Sequence, residues 1–170
     1  MEINNVAKGK PTVQSSTYHD DTGKNYDPDI AVDGQPNSVF DTCLFQHTDF
    51  PDIYPWWQVD LQGIHLVWNV SILNREDCCD DRLHELDIRV GLTPISHPAH
   101  KNKLYEKNPL CQHYSGAGIG AGEWAHFSCH FQPVIGRYVT IQIVQFCPTC
   151  KEPDHNILTM CEVRVFGIRV

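Results

Sequence analysis

Leu66-Val67-Trp68-Asn69-Val70-Ser71-Ile72-Leu73 is an apolar run rich in β-forming residues, and it predicts a strand. Leu86-Asp87-Ile88-Arg89-Val90 predicts a second strand a short distance further on. The connection between them opens with Asn74-Arg-Glu-Asp-Cys-Cys-Asp-Asp-Arg82, which combines two arginines, several acids and two adjacent cysteines. A loop that only reversed the chain would favour Gly, Pro or Asn-Gly. Although a solvated charged connection is the alternative, the adjacent cysteines favour a binding loop carried by a rigid scaffold.

Other strands are predicted along the rest of the chain, and helical periodicity is scarce. The segment 56–61 alternates apolar and polar residues from Trp57 onward, as a half-buried strand does. Segments 20–46 and 93–124 are loop-like. Several short strands separated by turns predict an all-β sandwich or barrel, in one domain over residues 1–170. The remaining predicted strands are His65–Leu73, Leu86–Leu92, Ala125–Cys129, Arg137–Val144 and Leu158–Phe166.

Composition narrows the function classes. The chain has 170 residues, of which 41% are hydrophobic and 20% are charged, as in an ordinary soluble globular protein. Its formal net charge of −8 argues against nucleic acid or an anionic membrane as a partner. Since no apolar run approaches the length of a transmembrane segment, we expect no membrane insertion.

The eight cysteines form an even set, which predicts a disulfide framework in a secreted, extracellular protein. A zinc site formed by Cys147, Cys150, His155 and Cys161 is the main alternative, but structural zinc usually shows two close ligand pairs. A thioredoxin-like role for Cys147 and Cys150 is also weak, because no βαβ pattern surrounds them.

Three basic side chains are candidates for one binding site. His47 lies in the loop before the tryptophan strand, so that it can reach the same end of a sandwich as Arg75 and Arg82. Repulsion from two guanidiniums would favour the neutral imidazole. The three side chains then offer many donors and one acceptor, a set suited to hydroxyl groups or to an anion.

The pairing of Cys78 and Cys79 has two possible interpretations. A trans peptide places consecutive Cα atoms about 3.8 Å apart, below the usual disulfide range that starts near ~4.4 Å. Each cysteine therefore either pairs with a distant partner or forms a rigid vicinal ring, an apolar patch that can pack against a sugar. No nucleophile or phosphate-loop motif is present, and acids that pair with Arg75 and Arg82 are poor general acids. We expect no catalysis.

These residues resemble the signature of the F-type lectin (fucolectin) family. The signature is a histidine, a spacer, R-x-D, four residues and a basic residue, and it matches His47, Arg75-Glu-Asp77, the segment 78–81 and Arg82. Further landmarks follow in the family's order, and they cover nearly the whole chain. They are Asn5-Val-Ala7, Ala31-Val-Asp-Gly34, Trp56-Trp-Gln-Val-Asp-Leu61, Gly136-Arg-Tyr-Val139 and Leu158-Thr-Met-Cys-Glu-Val163.

The resemblance implies an all-β fold, an eight-stranded jelly-roll β-sandwich of the discoidin-like type, that binds terminal L-fucose on fucosylated glycans. His47, Arg75 and Arg82 would donate hydrogen bonds to the axial 4-hydroxyl and neighbouring oxygens, and Asp77 would orient the arginines. A Cys78–Cys79 vicinal disulfide would pack against the sugar ring. Phe40 would line the pocket for the sugar's methyl group.

The resemblance also implies a structural Ca²⁺. The side chains of Asp33 and Glu162 would hold it, together with carbonyls near Ile30, Gln35 and Cys161. It further implies the disulfides Cys43–Cys161 and Cys111–Cys129.

The segment Cys147-Pro-Thr-Cys150-Lys-Glu-Pro-Asp-His155 is an addition to the family pattern. We predict that a Cys147–Cys150 bridge closes it and that it contributes to an extended glycan subsite.

Two other function classes stay open from the sequence alone. One is a discoidin-like adhesion domain that binds protein or lipid through its loop tips, and the other is an accessory module of a glycoside hydrolase. Because a single sugar engages few atoms, monosaccharide binding should be weak, and a homo-oligomer would supply avidity.

Overall fold

The computed structural model of the chain describes residues 2–36, 43–95, 102–129 and 132–170. Strands dominate these ranges, and the only helical pieces within them are short 3₁₀ helices at Pro28–Val32 and Asp80–Arg82. The strands are β1 (Asn4–Asn5), β2 (Thr12–Gln14), β3 (Gln46–His47), β4 (Trp56–Leu73), β5 (Leu86–Gly91), β6 (Leu110–Tyr114), β7 (Trp124–Ser128), β8 (Val134–Ile143), β9 (Thr159–Met160) and β10 (Glu162–Arg169).

The long strand β4 joins the two halves of the sheet. Its register is interrupted between Asp60 and His65. It pairs with β2 before that interruption, with β8 on both sides of it, and with β10 and β7 after it. The connected strands therefore run in the order β1-β10-β4-β8-β5-β6, with β2 and β7 attached to β4.

A small second sheet forms one wall of the site described below. It consists of β3 and β9, where Gln46 pairs with Met160 and His47 with Thr159. His47 is thereby fixed at the end of the structure at which β4 passes into the Asn74–Arg82 loop.

The core lies between the inward faces of the strands. The core includes alternate residues of β4, namely Trp57, Val59 and Leu61. At most 1% of the surface of each residue is exposed, as the period-2 alternation of a strand requires. They pack in one cluster with the inward residues of three other strands, and each such side chain contributes about 1.5–3 kcal/mol by leaving water. The partners are Leu86, Ile88 and Val90 of β5, Val139, Ile141 and Ile143 of β8, and Val163 and Val165 of β10.

Four disulfides use all eight cysteines. The bridges are Cys43–Cys161, Cys78–Cys79, Cys111–Cys129 and Cys147–Cys150. The pairings implied by the resemblance and the predicted Cys147–Cys150 bridge are all confirmed. Since Cys147, Cys150 and Cys161 all form disulfides, no thiolate remains for the zinc alternative, which is therefore wrong. The described residues around Cys147 and Cys150 do not form the βαβ unit of a thioredoxin-like site.

The predicted all-β architecture is confirmed, with two corrections to the strands. The segments 56–61 and 65–73 are parts of the single strand β4 and not two strands. The strand β6 lies inside the predicted loop 93–124, where Cys111 is its only fully buried residue. Among the described residues, no helix has the length and apolar character needed to cross a membrane.

Candidate functional site

Asn74 shapes the loop that carries both arginines. Its side chain is buried, and its Nδ2 donates hydrogen bonds to the carbonyl oxygens of Asp80 (2.9 Å) and Ile119 (3.0 Å). Its Oδ1 accepts a hydrogen bond from the backbone N–H of Arg75 at 3.0 Å. One amide therefore ties the start of the loop to its end, where Cys79 has the left-handed φ of 61°.

Arg75 is held from two sides. Its Nε and Nη2 each donate to Asp77 at 2.8 Å, a bidentate pair that holds the pKa of this carboxyl below its usual value. The guanidinium carbon lies 4.0 Å from the centre of the Phe45 ring, within cation–π range. Only 7% of the Arg75 side chain is exposed, so its orientation is fixed before any ligand arrives.

Arg82 is held in the same way by a different acid. Its Nε and Nη2 donate to Glu152 at 2.8 and 3.2 Å, and the pKa of Glu152 is lowered by these bonds. The expectation that Asp77 orients both arginines is thus wrong for Arg82. Asp77 pairs with Arg75, while the partner of Arg82 comes from the segment that follows the Cys147–Cys150 bridge.

His47 is a neutral acceptor in this site. Its Nδ1 donates to the carbonyl oxygen of Thr48 at 2.6 Å, which leaves a lone pair on Nε2, 3.4 Å from Nη1 of Arg82. Burial is the main cause that lowers the pKa of His47 to about 4, and the charges of Arg82 and Arg75 add to it. The expected donor role of His47 does not fit this arrangement, because a neutral ring whose proton lies on Nδ1 can only accept at Nε2.

The side chains of His47, Arg75, Arg82, Cys78 and Cys79 line one cavity of about 350 Å³. The vicinal disulfide is a confirmed covalent feature of its wall. Phe40, expected beside it, lies outside the described residues. Other lining residues were missed from the sequence, namely Tyr18, Tyr26, Phe45, Asp49, Phe50 and Ile157.

An aromatic group supports the histidine side of the cavity. The rings of Tyr18 and His47 have centroids 4.6 Å apart, and those of Tyr26 and Phe45 lie 5.3 Å apart. Phe45 could have been found from the sequence, since it is two residues before His47 and so shares its face in an extended segment. Tyr18 and Tyr26 lie in turn-rich sequence that gives no such signal.

Each positive charge of the cavity is compensated, and Asp49 adds a further carboxylate to the lining. Arg75 and Arg82 are each neutralised by one ionised carboxylate, and His47 is uncharged. The guanidinium edges that face Asp77 and Glu152 are occupied, and Nη1 of each arginine lies on the opposite edge. Nη1 of Arg82 is 3.4 Å from Nε2 of His47, to which one of its two N–H groups can donate, so its other N–H group remains for a ligand. Such a site favours neutral hydroxyl groups over an anion, because no uncompensated positive charge remains.

A second polar cluster contains the expected metal ligands. Glu162 is fully buried, and within the described ranges neither of its carboxylate oxygens makes a hydrogen bond of ordinary geometry, although the Asp33 carboxyl group and the backbone N–H of Gly34 lie nearby. Burial, followed by the nearby Asp33 carboxylate, raises the pKa of Glu162 to about 8. Without a cation the pair avoids the cost of two buried charges by protonation of Glu162, and both carboxylates can be ionised together only if a cation lies between them. These residues therefore fit a hard cation that prefers oxygen ligands.

The other expected ligands are distributed around this pair. Ile30 belongs to the 3₁₀ helix Pro28–Val32, Cys161 adjoins Glu162, and the backbone N–H of Gln35 donates to Oδ1 of Asp33 at 2.8 Å. Across the described part of the chain, no three His, Cys, Asp or Glu side chains converge as a metal site. Backbone carbonyls would therefore have to supply the further ligands.

Comparison with known proteins places this fold and site in a family. Residues 30–141 match the model of the F5/F8 type C family described as a NedA-like, galactose-binding domain. The Fucolectin of Anguilla anguilla is 33% identical over 162 residues, which cover 95% of this chain and 89% of that protein. The chain belongs to the fucolectin family.

Solved structures agree with the assignment to the fucolectin family. A fucolectin from the serum of striped bass, Morone saxatilis, is 32% identical with a TM-score of 0.75, over 99% of this chain and 50% of that one. A fucose binding module of Streptococcus pneumoniae is 27% identical with a TM-score of 0.67, over 97% of this chain and 96% of that one. The expected discoidin-like β-sandwich is thereby confirmed.

This member of the fucolectin family spans 66% of Fucolectin-1 of Anguilla japonica, to which it is 34% identical over 139 residues. It also spans only half of the striped bass chain. The relatives are named as lectins and binding modules and not as enzymes, in agreement with the prediction that the chain has no catalytic activity.

Proposed function

We propose that this chain is a lectin domain that binds terminal L-fucose on glycans. The observation that carries the proposal is a cavity without uncompensated positive charge, in which Arg75 and Arg82 present one donor edge each beside the acceptor Nε2 of His47. The relatives named as fucolectins and as a fucose binding module support the choice of sugar. Fucose fits such a site because it has an axial hydroxyl on one side and a methyl group on the other.

The protein groups have distinct tasks in this proposal. Nη1 of Arg75 and of Arg82 donates to sugar oxygens. One sugar hydroxyl replaces Nη1 of Arg82 as the donor to Nε2 of His47. The Cys78–Cys79 disulfide packs against the apolar face of the ring. An epimer of fucose whose hydroxyl points in another direction would leave these buried nitrogens without hydrogen bonds. The loss of those hydrogen bonds strongly disfavours the epimer relative to fucose.

Fucosylated glycans, and not the free sugar, are the proposed partners. A monosaccharide engages few atoms, so we expect a binding free energy on the order of −4 to −6 kcal/mol. Several linked sites would raise the avidity, and we propose a homo-oligomer for this reason. Four disulfides without a free cysteine support an extracellular location for the domain.

We also propose a structural Ca²⁺ at Asp33 and Glu162. The support is the buried carboxylate of Glu162 beside a second carboxylate. Carbonyls near Ile30, Gln35 and Cys161 would complete the oxygen ligands. When bound, the ion would neutralise the two acids and so stabilise the segment between them and the sugar cavity.

Calorimetric titration tests the proposed sugar specificity. We expect L-fucose to bind and D-galactose to bind at least tenfold more weakly, and Arg82→Ala to abolish detectable fucose binding. Arg137→Ala is the matched control, because Arg137 makes a similar bidentate pair with Asp60 through Nε (2.7 Å) and Nη2 (2.8 Å), away from the cavity. Normal fucose binding by Arg82→Ala would contradict the proposal. Absence of binding to either sugar would favour an adhesion domain.

A further inference from the structure

A stacked aromatic pair lies at the rim of the cavity. The rings of Phe50 and His155 have centroids 4.2 Å apart and an interplanar angle of 24°. Phe50 is 51% exposed and, together with Ile157, also lines the cavity. An exposed phenylalanine ring lacks the stabilisation that burial would give it. Its position at the edge of a polar binding cavity therefore calls for a functional explanation.

Both partners of the pair are held in place. The backbone N–H of Phe50 donates to Oδ1 of Asp49 at 2.8 Å. The His155 ring lies 2.9 Å from Oδ1 of Asp154 through Nδ1, and the backbone N–H of His155 donates to the carbonyl of Glu152 at 3.2 Å. The backbone of Phe50 and the ring of His155 are therefore anchored, and the Phe50 ring, which stacks on the His155 ring, offers a flat surface to a ligand.

The same segment controls the sugar cavity. Glu152 clamps Arg82 and lies three residues before His155, and the backbone N–H of Lys151 donates to Oδ2 of Asp81 at 2.7 Å. The distance between the clamp and the aromatic pair is thus fixed by a short, anchored piece of chain. Anything bound against Phe50 and His155 lies next to a sugar bound at Arg82.

We propose that Phe50 and His155 form a subsite for the sugar to which the terminal fucose is attached. This inference rests on the proposed fucose binding. A pyranose ring has a face of C–H groups that packs flat on an aromatic ring. The Phe50–His155 pair offers such an aromatic ring at the mouth of the cavity. The carboxylates of Asp49, Glu152 and Asp154 lie around the Phe50–His155 pair and would repel an acidic sugar. The second sugar is therefore a neutral hexose or N-acetylhexosamine.

Calorimetry with two ligands tests the subsite. The ligands are L-fucose and the trisaccharide in which fucose is α1,2-linked to galactose β1,4-linked to N-acetylglucosamine. We expect the unaltered protein to bind the trisaccharide about tenfold more tightly than fucose. Phe50→Ala should reduce this ratio to near one, and Phe50→Tyr should preserve it. His155→Ala, which lies outside the cavity lining, should keep fucose binding and lower the ratio.

The outcomes separate the two proposals. If the unaltered protein binds fucose but gains nothing from the trisaccharide, the subsite is wrong while the fucose site stands. If it binds neither ligand, the proposed function itself is wrong. An affinity ratio that is unchanged in Phe50→Ala would also overturn the subsite. If this variant also changed its oligomeric state in size-exclusion chromatography, a second copy of the chain would be the partner that covers Phe50. Leu44→Ala, which alters a leucine 50% exposed outside the cavity lining, should leave every value unchanged.

Discussion

Glu152 accepts two hydrogen bonds from the guanidinium of Arg82, although 70 residues separate the two in the chain. Asp77 holds Arg75 by the same two nitrogens from only two residues away. The cavity thus has two equivalent clamps of different origin, one within the binding loop and one supplied by a disulfide-closed addition. Each clamp fixes one edge of a planar fork and leaves the other edge for ligand.

Glu152→Gln is expected to weaken fucose binding about five- to tenfold in calorimetry. The amide keeps one acceptor oxygen but cannot satisfy both N–H groups of Arg82, which then loses its fixed orientation. The free energy of unfolding should change little, because the side chain of Glu152 is 42% exposed and such pairs contribute little to stability. Asp154→Asn, with a side chain 82% exposed on the same segment, is the control and should bind fucose normally. Equal affinities for the two variants would contradict the clamp.

Lowering the pH should destabilise the fold through His47. Its pKa is about 4 in the folded protein and about 6.5 in the unfolded chain, so the unfolded chain binds the extra proton first. The contribution of neutral His47 to the free energy of unfolding is fully present above pH ~6.5, declines as the pH falls and is lost below pH ~4. The total loss is about 3 kcal/mol.

Denaturant unfolding of the protein and of His47→Gln between pH 7 and 4 measures this contribution. The difference in unfolding free energy between the two should shrink as the pH falls through this window. Fucose affinity should remain constant from pH 8 to ~5 and fall about twofold by pH 4, where half of the His47 rings are protonated, because a protonated Nε2 can no longer accept a hydrogen bond. Constant fucose affinity at pH 4 would refute the acceptor role.

The Cys78–Cys79 bridge is expected to matter for binding and hardly for stability. It joins adjacent residues and closes no loop, so its removal adds little freedom to the unfolded chain. The double substitution Cys78→Ser with Cys79→Ser should therefore leave Tm nearly unchanged and weaken fucose binding about tenfold, since the apolar patch becomes polar.

Removal of the Cys43–Cys161 bridge provides the contrast. That bridge spans a sequence separation of 118, and loop-closure entropy predicts about 5 kcal/mol for a loop of this size. Cys43→Ala with Cys161→Ala should lower Tm strongly. If the two double variants melted at the same temperature, the separation of binding from stability would be wrong.

Calcium should raise the thermal stability of the domain, and chelation should lower it. Thermal scans in 1 mM Ca²⁺ and in excess chelator measure the effect, which grows with the logarithm of ion concentration above the Kd. Asp33→Asn should remove the response, because it deletes one of the two carboxylates. Asp21→Asn, at an exposed turn, is the control and should respond like the unaltered protein. Identical scans with and without calcium would refute the metal site.

Local alternation was enough to predict much of the fold. Trp57, Val59 and Leu61 alternate with polar neighbours, and all three are core residues. Alternation could not reveal β6, because only Cys111 of that strand is fully buried while Leu110 is 38% exposed. An edge strand of this kind has no clear hydrophobic face, so its sequence resembles a loop.

The arginines and the histidine of the site could be predicted because they form a pattern within and just before one loop. Glu152 could not, since it reaches Arg82 only after the chain has crossed the sheet and returned. The acceptor role of His47 depends on the carbonyl of Thr48, a backbone atom that carries no sequence signal. Distant partners and backbone hydrogen bonds are properties of the folded chain.

Strand β9 has a consequence for the energetics of the whole site. Thr159 pairs with His47, the next residues include Cys161 and Glu162, and the backbone N–H of Cys161 donates to the carbonyl of Leu73, beside the binding loop. The sugar cavity and the proposed calcium site therefore share one short segment. If calcium raises the affinity for fucose by some factor, fucose must raise the affinity for calcium by the same factor, because binding free energies around a closed cycle are reciprocal. Glycan capture would then depend on the calcium concentration of the surrounding fluid.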